Sequence, residues 1–152
     1  MIVLTLYLNK KEKQNKIKES TTDISEVLSE VNLPIVPFMV GNKKLNFLLD
    51  TGSDRCIINS KDLKKIIHKK SDVKTTAYGV DGKEFVVNVN TVALKYKDYT
   101  FDDTIVYDSD LSAPFGNIKK TCGITVHGII GNDFLTKMGF VIDYGKNIVY
   151  LS

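Results

Sequence analysis

The chain has 152 residues and no tryptophan, and only two cysteines and two histidines. Cys56 and Cys122 lie far apart and form no Cys-x-x-Cys, and His68 and His127 are the only imidazoles, so no zinc ligand set can be assembled. Neither a metal nor a cofactor is expected. The two thiols either pair in an oxidising compartment or stay free in the core. The second reading is adopted, since free cysteine is among the most buried residue types, and the compartment stays open. A strong charge of either sign is also absent. Lys+Arg exceed Asp+Glu by 21 to 18, a net charge of +3, with no basic stripe and no aromatic platform, so nucleic acid is not an expected partner. No long apolar run is present. "MIVLTLYL" at 1–8 is well short of the roughly 20 residues that cross a bilayer. Lysines follow it rather than precede it, the reverse of a signal peptide. Membrane association is therefore not expected, although residues 1–8 do not exclude it.

The sequence divides into three stretches. Residues 1–20 are an apolar stub followed by a Lys-rich segment read as a flexible linker. Residues 21–32, "TTDISEVLSEVN", place Ile24, Val27, Leu28 and Val31 at helical spacing, with Thr22 or Asp23 as a cap. They form a short helix or an extended lead-in. Residues 33–152 make one domain of short apolar runs separated by turn signals. Within it, "GNKK" marks a hairpin, and Ser60 is a candidate cap for a helix over 60–69. Asp81-Gly82 suits a two-residue type I′ turn. "YTFDDTIVYD" reads as a strand pair or one bent strand, and 109–123 as a loop. "DFLTKM" reads as a short helix ended by Gly139, and "FVIDYGKNIVYLS" as a closing hairpin. This pattern predicts a mostly β, closed or sandwiched domain with one or two short helices.

The stretch "LNFLLDTGSDRCII" at 45–58 carries the chemistry. Asp50 ends a buried-looking strand, and burying a carboxylate is costly without a partner or a task. Gly52 permits a sharp turn, and Thr51 offers a hydroxyl. Two such carboxylates about 3 Å apart repel by roughly 5 kcal/mol at an effective dielectric of about 20. They therefore lose their protons in widely separated steps. The ionised member can take a proton from a water held between them, and the protonated member can polarise a peptide carbonyl. No other Asp in the chain stands in Asp-Thr-Gly or Asp-Ser-Gly. A second copy of the chain, related by two-fold symmetry, is the simplest source of the second carboxylate.

In the order "FLLDTGSDRCII", "AYGVDGKEFVV", "HGIIGNDFL" and "FVIDYGKNIVYL", residues 33–152 resemble the retropepsin-like aspartic proteases. These are single-lobe, homodimeric enzymes that hydrolyse extended polypeptides. The resemblance implies a closed acid-protease-like barrel, a catalytic Asp50, and an active-site loop of Thr51, Gly52 and Ser53. It also implies substrate contacts from Asp54 and, near the tip of a mobile flap hairpin, from Tyr78, Gly79 and Val80. Gly128, Ile129, Ile130 and Gly131 support the site by packing. Viral members place an Arg after the Gly of the third motif to pair with the acid at the Asp54 position. Here that place holds Asn132, and Arg55 is the candidate substitute. Many bacterial members carry an Asp where this chain has His127. The C-terminal strand "IVYLS" is expected in the dimer sheet. The rival reading is a non-catalytic module of the same fold that binds peptide or dimerises.

Overall fold

Strand β2 (Ile35–Val40) turns its apolar side chains Ile35, Val36, Phe38 and Val40 inward and leaves Pro37 exposed. It hairpins through Gly41-Asn42, with Gly41 at φ +58°, into β3 (Lys43–Asp50). There Leu45, Phe47 and Leu49 alternate into the core, as the two-residue period of a strand requires. The computed structural model describes residues 1–152 and is mostly β, 43% strand against 32% helix.

A seven-stranded sheet runs β2, β3, β8 (Gly128–Gly131), β4 (Ile57–Asn59), β7 (Tyr99–Ser109), β6 (Glu84–Tyr96) and β5 (Lys69–Tyr78). One further pair, Met39 with Lys95, joins β2 to β6, so six of these strands form a ring of pairings. A separate three-stranded sheet orders β1 (Thr22–Asp23), β10 (Ile148–Leu151) and β9 (Phe140–Asp143). The main core fills the space between the sheets. Phe38, Phe47, Tyr96, Phe134 and Phe140 meet there in tilted and edge-on pairs, with Phe38 and Phe47 centred 5.4 Å apart.

Five helices are present rather than one or two. The first, α1 (Ile2–Ser20), replaces the expected flexible segment. Residues 2–20 contain no Gly or Pro and are rich in Leu, Lys, Glu and Gln, so local propensity outweighs the polar composition that suggested a linker. Next, α2 (Ser25–Val31) follows Asp23, whose carboxylate accepts the Ser25 N–H at 2.8 Å. The helix α3 (Ser60–Leu63) is a single turn; Asn59, not Ser60, precedes it, and no side chain caps it.

Residues expected as a loop instead form α4 (Ser112–Cys122). Pro114 sits in its first turn, where proline is tolerated, and Asp110 accepts the Ser112 N–H at 3.0 Å. Its Phe115 is buried with Ile35 and Val126 in a second, smaller core. The last helix, α5 (Asn132–Met138), ends at Gly139 with φ +72°, as its sequence predicts.

Three other differences bear on the site. The β5–β6 hairpin closes through a five-residue tip, 79–83, rather than a two-residue turn. Gly82 donates to the Gly79 carbonyl at 2.9 Å and takes φ +76°. Residues 99–109 form one strand, with a register shift opposite Val92–Leu94. Strand β10 is flanked on both sides, by β1 and β9, so "IVYLS" has no free edge; β9 has one. The two cysteines are free, Cys56 buried in the core and Cys122 half-buried on α4.

Candidate active site

Asp50 is the last residue of β3 and lies opposite Gly131, the last residue of β8, in a parallel pairing. The chain then reverses sharply. The Asp50 carbonyl accepts the Ser53 N–H at 3.2 Å, and its Oδ1 accepts the Gly52 N–H at 2.9 Å. One carboxylate oxygen is thereby oriented by the turn it precedes. Space is tight at Gly52, where a Cβ would stand 3.2 Å from that same Oδ1.

The loop is fastened to the third motif from behind. Asn132 donates its N–H to the Ser53 carbonyl at 2.7 Å, and the Ser53 hydroxyl donates to the Arg55 carbonyl at 2.8 Å. Gly131 faces the Arg55 backbone so closely that a Cβ would fall 2.2 Å from its carbonyl oxygen. At Gly128 a Cβ would fall 2.5 Å from the Ile57 oxygen and 2.6 Å from the Phe47 ring. Between them Ile130 is fully buried and Ile129 half-buried. The pattern Gly-Ile-Ile-Gly is therefore dictated by close backbone approach at both ends.

His127, just before this strand, is half-buried. Its Nδ1 accepts the Asn46 N–H at 2.9 Å, and its own N–H donates to the Asn46 carbonyl at 2.8 Å. Burial holds its imidazole below the usual range, and the nearby Asp62 carboxylate offsets this only in part. His127 thus clamps β8 onto β3. Cys56, behind the loop, has its thiol pushed up to about 12 by burial, which makes it a packing group rather than a nucleophile.

Asp54 is exposed, and its Oδ2 lies 3.5 Å from Arg55 Nε. The pair is open to solvent and contributes little. Arg55 does more than the sequence suggests. Its guanidinium lies 4.9 Å from the centre of the Tyr107 ring, and Nη1 donates to the Thr76 carbonyl at 3.3 Å. Arg55, Ala77, Phe85, Val87 and Tyr107 line one small cavity, so the hairpin leans on the loop that follows Asp50. At its tip, Tyr78 and Val80 are exposed and Gly79 is half-buried.

Beside the loop on its other side lies an open groove of about 290 Å³, lined by Leu49, Thr51, Leu135, Phe140, Ile142 and Tyr144 among others. Apart from Thr51, these residues escaped the sequence reading because their apolar character signals core, and only the fold shows them meeting at a surface next to a free strand edge.

Once this geometry is set beside known families, the family model described as "Aspartyl protease" matches residues 36–134. The matched span runs from β2 into α5 and includes the Asp50 loop, the β5–β6 hairpin and the Gly-Ile-Ile-Gly strand. No curated protein matches the chain.

Proposed function

The chain belongs to the retropepsin-like aspartyl protease family, and on that premise we propose that it is a homodimeric aspartic endopeptidase. Each of two copies contributes its Asp50, and the pair shares a proton. The ionised carboxylate takes a proton from a bound water as that water attacks the peptide carbonyl, which the protonated partner polarises. The carboxylate that took the water's proton then gives it to the leaving nitrogen as the C–N bond breaks, which restores the shared-proton pair. The observation that carries this reading is the aimed carboxylate. Asp50 stands at a strand end, with one oxygen held by Gly52 and the loop braced by Asn132, Ser53 and Gly131.

The dimer is supported by the absence of a second Asp-Thr-Gly. It is supported further by the apolar groove at Thr51 and the free edge of β9 beside it. A second copy seated there covers that groove and extends the β1-β10-β9 sheet through β9. The ring of strand pairings supports a closed acid-protease-like barrel. The hairpin tip, with Tyr78, Gly79 and Val80, and the exposed Asp54 then hold an extended peptide by its backbone.

The test is a mixed-peptide digest across acidic and neutral pH with the wild type and Asp50→Asn. Asparagine keeps an oxygen for the Gly52 N–H, so the loop is retained while the ionisable group is lost. Cleavage by the wild type and none by a folded Asp50→Asn protein is expected. Undiminished cleavage by that variant sinks the mechanism. Peptide binding without cleavage by the wild type favours the non-catalytic module. A monomer in sedimentation at active concentrations removes the shared site.

A further inference from the structure

Helix α1 is fastened to the body at one end only. Ser20 is fully buried; its hydroxyl oxygen accepts the Leu151 N–H at 2.8 Å, and its carbonyl accepts the Tyr96 hydroxyl at 2.6 Å. Residues 1–15 are exposed throughout. Among them Ile2, Val3, Leu4, Leu6, Tyr7 and Leu8 are between 48 and 80% exposed. At about 100° per residue these six spread over roughly 240° of the helix circumference, leaving only the strip of Thr5, Asn9, Glu12 and Lys16 without an apolar side chain. Lys10, Lys11, Lys13, Lys16 and Lys18 spread over roughly 220°, mostly the same side as the apolar residues.

Polarity therefore changes mainly along the helix axis, since beyond Leu8 only Ile17 is apolar. A helix that packs on a protein groove or on its own copy needs an apolar stripe, and α1 has none. An axial order of apolar then basic matches a layered medium. The helical residues Ile2–Leu8 at about 1.5 Å each reach roughly 10 Å, enough for the headgroup–acyl boundary, and no helix of the protein is long and apolar enough to cross a bilayer. The charge fits as well. α1 holds five lysines against two glutamates, an excess of three, and the whole chain's excess is also three, 21 against 18. The rest of the molecule is balanced, and all of the net positive charge lies on this helix.

We propose that α1 is a membrane-surface anchor. Ile2–Leu8 seat obliquely in the boundary region of an anionic bilayer, the lysines lie among the lipid phosphates, and the buried joint at Ser20 holds the body outside. This proposal stands apart from the peptidase reading, because its readout is lipid binding and not cleavage.

The experiment is flotation of the 152-residue chain with phosphatidylcholine vesicles and with vesicles rich in phosphatidylserine. Binding to the anionic vesicles is expected, at least tenfold weaker on the neutral ones. K10Q/K11Q/K13Q should lower the partition onto anionic vesicles roughly 100-fold, and L4S/L6S/L8S should abolish it. All six positions are exposed, so unchanged circular dichroism of the body is expected for both variants. Failure to bind anionic vesicles overturns the proposal, as does full binding by L4S/L6S/L8S. Self-association that L4S/L6S/L8S removes, with no lipid binding, assigns the helix to a second copy and overturns it equally.

Discussion

Gly131→Ala places a methyl group where the Arg55 backbone already stands. The added Cβ would lie 2.2 Å from the Arg55 carbonyl oxygen, 2.4 Å from its carbon and 2.6 Å from its nitrogen. Ordinary van der Waals contact begins at 3.4 Å, so the two segments must separate by about 1 Å. No flexible side chain can yield, because all three neighbours are main-chain atoms. Forced overpacking of this kind costs about 3 kcal/mol, the upper part of its usual range. For a chain of this size that lowers the thermal midpoint by roughly 6–12 °C. The same displacement pushes back the loop held by the Asn132-to-Ser53 bond, and with it Asp50. A misplacement of about 1 Å at a reacting group costs about 100-fold in rate. Thermal denaturation and peptide hydrolysis read the two effects separately. Gly116→Ala is the control. It lies within α4 with nothing inside 4 Å of the added carbon, and should stabilise by about 0.5–1 kcal/mol. A Gly131→Ala protein with wild-type midpoint and wild-type hydrolysis refutes the argument that this glycine is required by close approach.

Three further outcomes follow from the packing around the site. His127 is held neutral by burial and accepts a hydrogen bond at Nδ1; its folded value is lowered, so its stabilisation is complete above about pH 6.5 and is lost as pH falls through the folded value. His127→Asn, which keeps an acceptor without titrating, should flatten the urea midpoint between neutral and mildly acidic pH, whereas an unchanged slope counts against the clamp. The Asp23 and Asp110 carboxylates, lowered by bonds to Ser25 and Ser112, act only below the ordinary carboxylate value of 3.8 and do not enter that window. Arg55→Met removes the Thr76 bond and the Tyr107 contact; amide exchange along 74–86 should accelerate about fivefold, with Arg55→Lys intermediate, and unaltered exchange shows that the hairpin does not lean on Arg55. Tyr96→Phe deprives the buried Ser20 carbonyl and the Thr22 hydroxyl of their partner and should cost about 1–3 kcal/mol in urea titration, with no loss meaning that the joint is held elsewhere.

The strand half of the fold was legible because its signals are local. Gly41-Asn42 makes its hairpin, Leu45, Phe47 and Leu49 alternate inward, and Gly139 ends α5 in the left-handed region. The Asp50 turn was legible for the same reason, since Asp-Thr-Gly states its own geometry. The misreadings share another cause. Residues 9–20 read as a linker because they are polar and Lys-rich, and 109–123 read as a loop, yet the first is rich in helix formers and the second contains α4, held by one buried ring, Phe115, that meets partners distant in sequence. The tip at 79–83 differs from a two-residue turn because its backbone bonds run from Gly82 N–H to the Gly79 carbonyl and from Gly79 N–H to the Lys83 carbonyl, both at 2.9 Å, and Asp81-Gly82 alone does not signal that pattern. Arg55 gave no signal in sequence, because its partners, Thr76 and Tyr107, are set by register and not by proximity along the chain.

The joint at Ser20 also sets an order of events during synthesis. Its partner Leu151 lies 131 positions further along the chain. At about 5–20 residues per second the ribosome needs roughly 7–26 s to bridge that interval. Strand β1 has no neighbour until β10 emerges, and the Ser20 hydroxyl has no backbone amide to receive. Helix α1 is therefore made early and secured last, and for those seconds its apolar residues are tethered to a nascent chain that has not yet closed beneath them.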